Sequence, residues 1–360
     1  GRRIAGAAIM QEHGRHTTIV EIQHLRMVAV LLVVLAHIHQ ADARFLTTTL
    51  LDQTAYFGFA GVDVFFVLSG FIIHHLYRDR RGLDVRYFLK RLNRIFPLYW
   101  IFTGLTLAGY LVFAGSLTRS FAELDLIASL TLIPHHDLPV LLVGWTLTHE
   151  LYFYALFGLA LALPPVWRTG AAGLWAAATI AATALMPRDV SPWLSVAFSP
   201  FNLLFLSGIG LSVLRDRLPA WRWPLAVVAL AGAIGGLIWT HGGGLEAIDA
   251  AALRVPVFAP FAIGLTAAWL AWKPHLPALA ARIGDWSYAI YLGHLLAISA
   301  LARLLPDSLW SPLFYLLALA ACIALGWLTH IAVEMPLLKA GRRLIDTIKP
   351  PADTQRAAKD

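Results

Sequence analysis

Long apolar stretches alternate with short polar connections along most of the chain. A transmembrane helix needs about 20 mostly apolar residues, and the sequence offers about ten stretches that approach this length. The predicted spans are residues 19–40, 57–77, 96–115, 142–163, 170–186, 196–214, 223–240, 255–272, 286–305 and 313–333. This pattern predicts an all-α, polytopic integral membrane protein with about ten transmembrane helices.

Lysine and arginine gather in every second connection between the predicted spans. The richest groups lie at residues 78–94 and 215–222 and after the last span, whereas the opposite connections hold single arginines such as Arg44 and Arg303. Basic residues favour the cytoplasmic side of a membrane. The alternation therefore predicts that both termini are cytoplasmic.

A weaker apolar run at residues 124–133 does not fit this alternation. If the run crossed the membrane, every later basic connection would move to the outer side. We therefore interpret it as an interfacial or re-entrant segment on the outer face of the protein.

Three parts of unequal length follow from these spans. Residues 1–18 are predicted to be an N-terminal cytoplasmic segment, and the sequence leaves open whether residues 1–9 are native. Residues 19–338 form the transmembrane domain, and residues 339–360 form a basic cytoplasmic tail.

Composition supports the membrane assignment and narrows the partners. Charged residues make up 14% of the chain and apolar residues 59%, whereas soluble domains carry about 25% charged residues. The net charge of +7 would suit nucleic acid, but the basic residues concentrate in the predicted cytoplasmic connections, so we expect membrane lipid and no nucleic acid as partners. Since Cys322 is the one cysteine, neither a disulfide framework nor a cysteine-based metal site is predicted, and we expect no metal.

Two ionisable residues share one face of the first predicted span. Arg26 and His37 are eleven positions apart, which on a helix is about three turns and about 16 Å. Ionisable groups within a bilayer are costly and usually functional. The alternatives are an arginine that reaches the interface and a histidine that only packs.

Asp63 and Glu150 are predicted to lie near the depth of His37, in spans that enter from the outer side. Three ionisable groups at one level would indicate a polar cavity that opens outward. A buried carboxylate could hold the imidazole of His37 in one tautomer and stabilise its cation. Alternatively, Asp63 caps its helix and Glu150 is paired for structure alone.

Arg91 and Arg94 are three positions apart, on one helical face at the predicted cytoplasmic end. Paired guanidinium groups suit phosphate recognition, and the positive-inside bias is the alternative explanation. Ser287 is well placed to cap the ninth predicted span, and His294 in that span is interpreted as a packing residue.

Several segments together resemble the acyltransferase-3 family of membrane O-acyltransferases. They are Arg26 with ten intervening residues before His37, residues 61–71 (GVDVFFVLSGF), 91–99 (RLNRIFPLY), 145–154 (WTLTHELYFY), 287–294 (SYAIYLGH) and 334–336 (EMP). They occur in the order of the family and cover nearly the whole chain. The resemblance implies transfer of an acyl group, usually acetyl, from cytoplasmic acetyl-CoA or another acyl-CoA to a hydroxyl of a glycan. Surface polysaccharides, exopolysaccharides and lipopolysaccharides are the implied acceptors, either directly or as lipid-linked sugars.

The resemblance also implies roles for individual residues. His37 would be the general base, oriented by Asp63 or Glu150, and in a variant route it would carry the acyl group itself. The implied acyl-CoA site contains five residues. These are Arg26 at the mouth of a tunnel, Arg91 and Arg94 on the CoA phosphates, and Ser287 and Tyr288.

Two other classes of function compete with the enzyme. A secondary transporter of a small anionic or sugar-like solute would also place ionisable residues at mid-membrane, but the chain has no paired, Pro/Gly-broken spans in matching halves. A scaffold for polysaccharide assembly would leave Arg26, His37 and Glu150 without a purpose. The sequence thus favours an acyltransferase of the bacterial inner membrane and leaves open the acceptor position, the acyl chain length and whether the protein forms an oligomer.

Overall fold

Every regular element in the described part of the chain is a helix in the computed structural model, which describes residues 19–112, 124–187, 189–249 and 251–348. The predicted N-terminal segment at 1–18 and the end of the predicted tail at 349–360 lie outside the described residues. The all-α prediction is confirmed for the part that is described.

The α-helices are numbered here in chain order. They are α1 Val20–Phe45, α2 Ala60–Tyr77, α3 Val85–Val112, α4 Leu126–Thr131, α5 Gly144–Ala160, α6 Pro165–Leu185, α7 Pro192–Ala197, α8 Phe201–Val213, α9 Arg222–Gly243, α10 Glu246–Asp249, α11 Ala251–Trp272, α12 Ala278–Leu304, α13 Ser311–Thr329 and α14 Met335–Asp346. Short 3₁₀ helices at Gln53–Phe59 and Arg215–Trp221 lead into α2 and α9, and a π-helical turn at His330–Glu334 joins α13 to α14.

Seven helical stretches in the described residues are long and apolar enough to cross a membrane. They are Val20–Phe45, Gln53–Tyr77, Pro192–Val213, Arg215–Gly243, Ala251–Trp272, Ala278–Leu304 and Ser311–Asp346. The protein is therefore a multi-pass membrane protein. The other three predicted spans coincide with α3, α5 and α6, of which α5 has only 17 residues and is about 25 Å long. The count of ten spans and the cytoplasmic position of both termini stay predictions.

The weak apolar run forms α4, a helix of six residues. Such a helix is about 9 Å long, so it cannot cross the hydrocarbon layer. Two hydrogen bonds hold it against α3: the Tyr99 hydroxyl donates to the Ser129 carbonyl oxygen (2.6 Å) and the Trp100 indole N–H donates to that of Leu130 (2.9 Å). The interpretation that this run does not span the membrane is confirmed.

α1 and α12 pack side by side in parallel, and this pairing positions the candidate site. Gly284 of α12 packs directly on the backbone of Gln23, and any Cβ at this position would collide with it. Small residues allow such close approach between helices in a membrane. Further along both helices Arg26 meets Ser287 and His37 meets His294, so the contacts advance in the same direction on each.

Two helices extend beyond the predicted limits. α12 begins at Ala278, whereas the predicted span began at residue 286, because hydropathy detects the apolar length of a helix and not its polar extension. α14 runs through the predicted domain boundary at residue 338. Its Leu338 is buried, with the carbonyl oxygen accepting a hydrogen bond from Asn93 of α3 (3.4 Å).

Candidate active site

His37 lies in the interior of the bundle, on the face of α1 that contacts α12. Its Nδ1 is 3.0 Å from the Val33 carbonyl oxygen and 3.2 Å from Nε2 of His294. The Phe59 ring meets the imidazole edge-on, with ring centroids 4.7 Å apart. Among the described residues no hydrogen-bond partner is recorded for Nε2 of His37.

Asp63 does not hydrogen-bond to His37, contrary to the expectation that it orients the imidazole. Its Oδ2 accepts from Nη2 of Arg254 at 2.6 Å, and both side chains are buried. The same Nη2 donates to the Phe59 carbonyl oxygen (3.0 Å). Arg254 lies just before the predicted span at residues 255–272, but α11 begins at Ala251 and the guanidinium is buried in the bundle. A catalytic role for Asp63 stays a prediction, and the structure shows no hydrogen bond between Asp63 and His37.

Glu150 of α5 also lacks a hydrogen bond to His37. Its Oε1 accepts from the Ser69 hydroxyl at 3.1 Å and from the Tyr154 hydroxyl. Ser69 follows Asp63 by six positions on α2, which is about 9 Å along the helix. The expectation that Asp63 and Glu150 lie at one level is therefore wrong: Glu150 lies closer to the predicted cytoplasmic end, and its catalytic role is an open prediction.

Arg26 binds Ser287 directly, with Nε donating to Oγ at 3.0 Å. Ser287 is fully buried and lies within α12, nine positions after its first residue, Ala278. The alternative that Ser287 caps a helix is thus wrong. The structure brings together two members of the predicted acyl-CoA site that are far apart in the sequence.

Arg94 forms an ion pair with Glu334 in the π-helical turn. Nδ1 of His330 lies 2.7 Å from the other oxygen of the same carboxylate. The Arg94 guanidinium also lies over the Tyr288 ring, 4.8 Å from its centroid, and the Tyr288 hydroxyl donates to the Ile95 carbonyl oxygen at 2.7 Å. π-Helical turns occur frequently at functional sites, and this one supplies the carboxylate that holds Arg94.

Arg91 points to a different group of side chains from Arg94, although both lie on α3. Its guanidinium lies over the rings of Tyr77 and Tyr154, 5.6 and 5.7 Å from their centroids. The Nε–H of Arg91 is buried without a recorded partner. The Tyr154 hydroxyl donates to Glu150, so Tyr154 contacts Arg91 through its ring and Glu150 through its hydroxyl.

The three arginines gather at the end of the bundle that the sequence predicts to be cytoplasmic. Arg26 lies within electrostatic range of Arg94 and of the carboxylates of Glu150, Asp285 and Glu334. A guanidinium has five N–H donors, and the recorded hydrogen bonds use only part of them. This arrangement can bind an anion with several oxygens, such as a phosphate group.

Sequence reasoning gave no functional role to several residues of these networks, and it interpreted His294 as a packing residue. They are Tyr154, Arg254, His294, His330 and Glu334. Spacing could have found one pair, because His330 and Glu334 are four positions apart and face the same side of a helix. The partners of Arg254 and His294 come from distant helices, and no local pattern indicates them.

A family model and named relatives match this chain in sequence. The family model described as an acyltransferase domain, acyltransferase-3, matches residues 19–331. The exopolysaccharide production protein ExoZ of Rhizobium meliloti is 35% identical over 300 residues, covering 79% of this chain and 91% of its own length. The acyltransferase MdmB of Streptomyces mycarofaciens is 29% identical over 390 residues, covering 93% of this chain and 96% of its own.

No solved structure matches the chain significantly. The family model nevertheless covers most of the sequence, including Arg26, His37, Glu150 and the α12 residues that contact them. The family also decides between the enzyme and the transporter alternative. The chain belongs to the acyltransferase-3 family and is an enzyme that transfers acyl groups.

Proposed function

We propose that the protein moves an acyl group, acetyl in the simplest case, from cytoplasmic acyl-CoA to a hydroxyl of an exopolysaccharide or cell-surface glycan. The observation that carries the proposal is the hydrogen-bond environment of the two ring nitrogens of His37. In a chain of this family, its Nδ1 faces protein acceptors deep in the bundle, and no partner is recorded for its Nε2 among the described residues. A nitrogen in this state can accept the proton of a hydroxyl group.

The arginines at the predicted cytoplasmic end support CoA as the donor. Guanidinium groups bind phosphate through paired hydrogen bonds, and CoA carries phosphates on both its nucleotide and its pyrophosphate. Arg26, Arg91 and Arg94 would bind them, with Ser287 and Tyr288 holding two of the guanidinium groups in place.

The spacing on α1 suits a donor with a long flexible arm. Arg26 and His37 are eleven positions apart, which is about 16 Å on a helix. The pantetheine arm of CoA has a length of that order. Phosphates bound near Arg26 would therefore leave the thioester within reach of His37.

The proposed reaction needs one base and no redox partner. Nε2 of His37 takes the proton of the acceptor hydroxyl as the oxygen attacks the thioester carbonyl carbon. The new C–O bond forms, the C–S bond breaks, and the CoA thiolate recovers the proton from the imidazolium. The products are a glycan ester and free CoA.

A named relative supports the choice of acceptor. ExoZ, 35% identical to this chain, is described as an exopolysaccharide production protein, and polysaccharides offer many hydroxyl groups. Lipid-linked sugars and lipopolysaccharide are acceptors of the same chemistry. We place the protein in the bacterial inner membrane, where cytoplasmic donor and exported glycan meet.

Transfer of labelled acetyl groups tests the proposal. Purified protein in lipid nanodiscs is incubated with radiolabelled acetyl-CoA and exopolysaccharide, and label is measured in the glycan before and after mild base, which cleaves O-acetyl esters. We expect base-labile label with the wild type and with His136→Ala, an exposed histidine that serves as control, and none with His37→Ala. Equal labelling by His37→Ala would refute the role of His37, and no labelling by a folded wild type would refute this donor and acceptor pair.

A further inference from the structure

His294 of α12 faces His37 of α1 in the interior of the protein. The ring centroids are 4.7 Å apart with an interplanar angle of 62°, and Nε2 of His294 lies 3.2 Å from Nδ1 of His37. His294 is fully buried and His37 is 9% exposed. When two buried histidines lie at hydrogen-bond distance, one ring nitrogen must donate a hydrogen and the other must accept it.

The hydrogen-bond network assigns the tautomer of His294. Its Nδ1 lies 2.7 Å from the Tyr291 carbonyl oxygen, which can only accept. Nδ1 of His294 therefore carries the hydrogen. Since a buried histidine without a carboxylate partner is neutral, its Nε2 bears a lone pair and is an acceptor toward His37.

The same reasoning assigns His37. Its Nδ1 faces two acceptors, the Val33 carbonyl oxygen at 3.0 Å and Nε2 of His294. If the hydrogen of His37 were on Nε2 instead, Nδ1 would carry a lone pair. That lone pair would face the lone pairs of the Val33 carbonyl oxygen and of Nε2 of His294. Nδ1 of His37 therefore carries the hydrogen, and the lone pair of His37 is on Nε2.

We propose that His294 is the positioning residue of this enzyme, holding His37 in the tautomer with a free Nε2 and stabilising the Nδ1–H of the imidazolium that forms during transfer. This inference rests on the proposed function for the identity of the substrates. His294 takes up and releases no proton itself. It replaces the carboxylate that orients the base in a Ser-His-Asp triad.

Neither Asp63 nor Glu150 forms a hydrogen bond to His37, which leaves this role to His294. Asp63 pairs with Arg254, and Glu150 accepts from Ser69 and Tyr154. The groups recorded against the His37 ring are the Val33 carbonyl on its own helix, the Phe59 ring and His294.

Two substitutions of similar size separate positioning from packing. His294→Gln keeps an acceptor oxygen at the end of the side chain, whereas His294→Leu fills the space without one. We expect kcat for acyl transfer to fall about 10- to 100-fold in His294→Leu, the range typical of removing the group that orients a metal-binding histidine. KM for acyl-CoA should stay unchanged, and His294→Gln should recover most of kcat.

A second readout does not depend on activity. Nitrogen NMR of histidine-labelled protein reports which ring nitrogen carries hydrogen, and the His37 signals are those absent from His37→Ala. We expect hydrogen on Nδ1 in the wild type and a mixture of tautomers in His294→Leu. Hydrogen on Nε2 of His37 in the wild type would overturn the proposal, as would equal activities of folded His294→Gln and His294→Leu. Failure of the wild type to transfer acetyl, with the tautomer as expected, would instead overturn the proposed function.

Discussion

Glu150 is a carboxylate whose Oε1 is occupied by two hydroxyl donors, from Ser69 and Tyr154. A glutamine has nearly the same shape and keeps an acceptor oxygen but loses the negative charge. Because Glu150 lies within electrostatic range of Arg26, its negative charge would stabilise that guanidinium in addition to accepting hydrogen bonds.

We therefore predict that Glu150→Gln lowers turnover severalfold or more while the protein stays folded. The measurement is the rate of acetyl transfer at saturating donor and acceptor. Tyr154→Phe is the matched control, because it removes one donor and leaves the charge in place. If Glu150→Gln turned over normally, the role of Glu150 would be limited to structural hydrogen bonding.

Arg91 and Arg94 contact different neighbours but lie at the same end of α3. Hydrogen bonds to charged groups contribute about 1.5–3 kcal/mol each, and about 1.4 kcal/mol is a factor of ten in affinity. The variant that combines Arg91→Ala with Arg94→Ala should weaken acyl-CoA binding at least about tenfold and change acceptor binding much less.

Isothermal titration with acetyl-CoA measures this effect. Arg80→Ala with Arg81→Ala is the control, because it removes the same charge from two exposed residues of the same predicted side. Unchanged affinity in the Arg91/Arg94 variant would contradict the phosphate-binding role. An equal loss in the Arg80/Arg81 control would assign the effect to net charge alone.

The sequence predicts the position of a residue on its own helix better than its contacts with other helices. The shared face of Arg26 and His37 follows from the helical repeat, which is a local property. The partner of Asp63 comes from α11 and that of His37 from α12, and these contacts depend on how helices assemble. Sequence spacing therefore indicated that Arg26 and His37 share a face of α1, but it did not indicate His294 as the neighbour of His37.

At the scale of helices, the Asp63–Arg254 ion pair joins α2 to α11 inside the bundle. Removing one partner of a buried ion pair leaves an uncompensated charge and costs about 3–5 kcal/mol, whereas replacing both by apolar groups is often neutral. Because Arg254 also donates to the Phe59 carbonyl oxygen, this pair supports the segment that contacts His37.

We predict that Arg254→Met lowers the midpoint of thermal unfolding and that adding Asp63→Leu restores most of it. Cys322 provides the readout, since it is the one cysteine and is 1% exposed, so a thiol-reactive dye reports unfolding. Recovery of both stability and activity in the double variant would make Asp63 structural. Recovery of stability without activity would support its assignment as a catalytic residue.

The apolar pattern predicted the existence of helices better than their limits. Residues 278–285 belong to α12 but include Arg282 and Asp285, so a hydropathy criterion leaves them out. The stretch at 192–213 contains no charged residue, yet it divides into α7 and α8, which end and begin on either side of Pro200. The run at 124–133 forms a helix of six residues and does not cross the membrane, as predicted, whereas its position on the outer face stays a prediction.

At the scale of the whole molecule, the arginine cluster lies at a different depth of the bundle from His37. The cluster consists of Arg26, Arg91 and Arg94. α1 and α12 run in parallel through both regions and contact each other in each, at Arg26–Ser287 and at His37–His294. A helix pair with contacts at both levels would keep the proposed donor site and the proposed site of chemistry in fixed relation. This arrangement suits an enzyme whose donor and acceptor come from opposite sides of a membrane.

Binding and slow cleavage of acetyl-CoA by the purified protein, with no acceptor present, test the central claim most directly. The wild type and His37→Ala are compared in the same detergent, with the dye assay at Cys322 confirming that both are folded. The account predicts saturable binding by both proteins and release of free CoA by the wild type alone. Thioester cleavage by folded His37→Ala at the wild-type rate, or no binding by either protein, would contradict it.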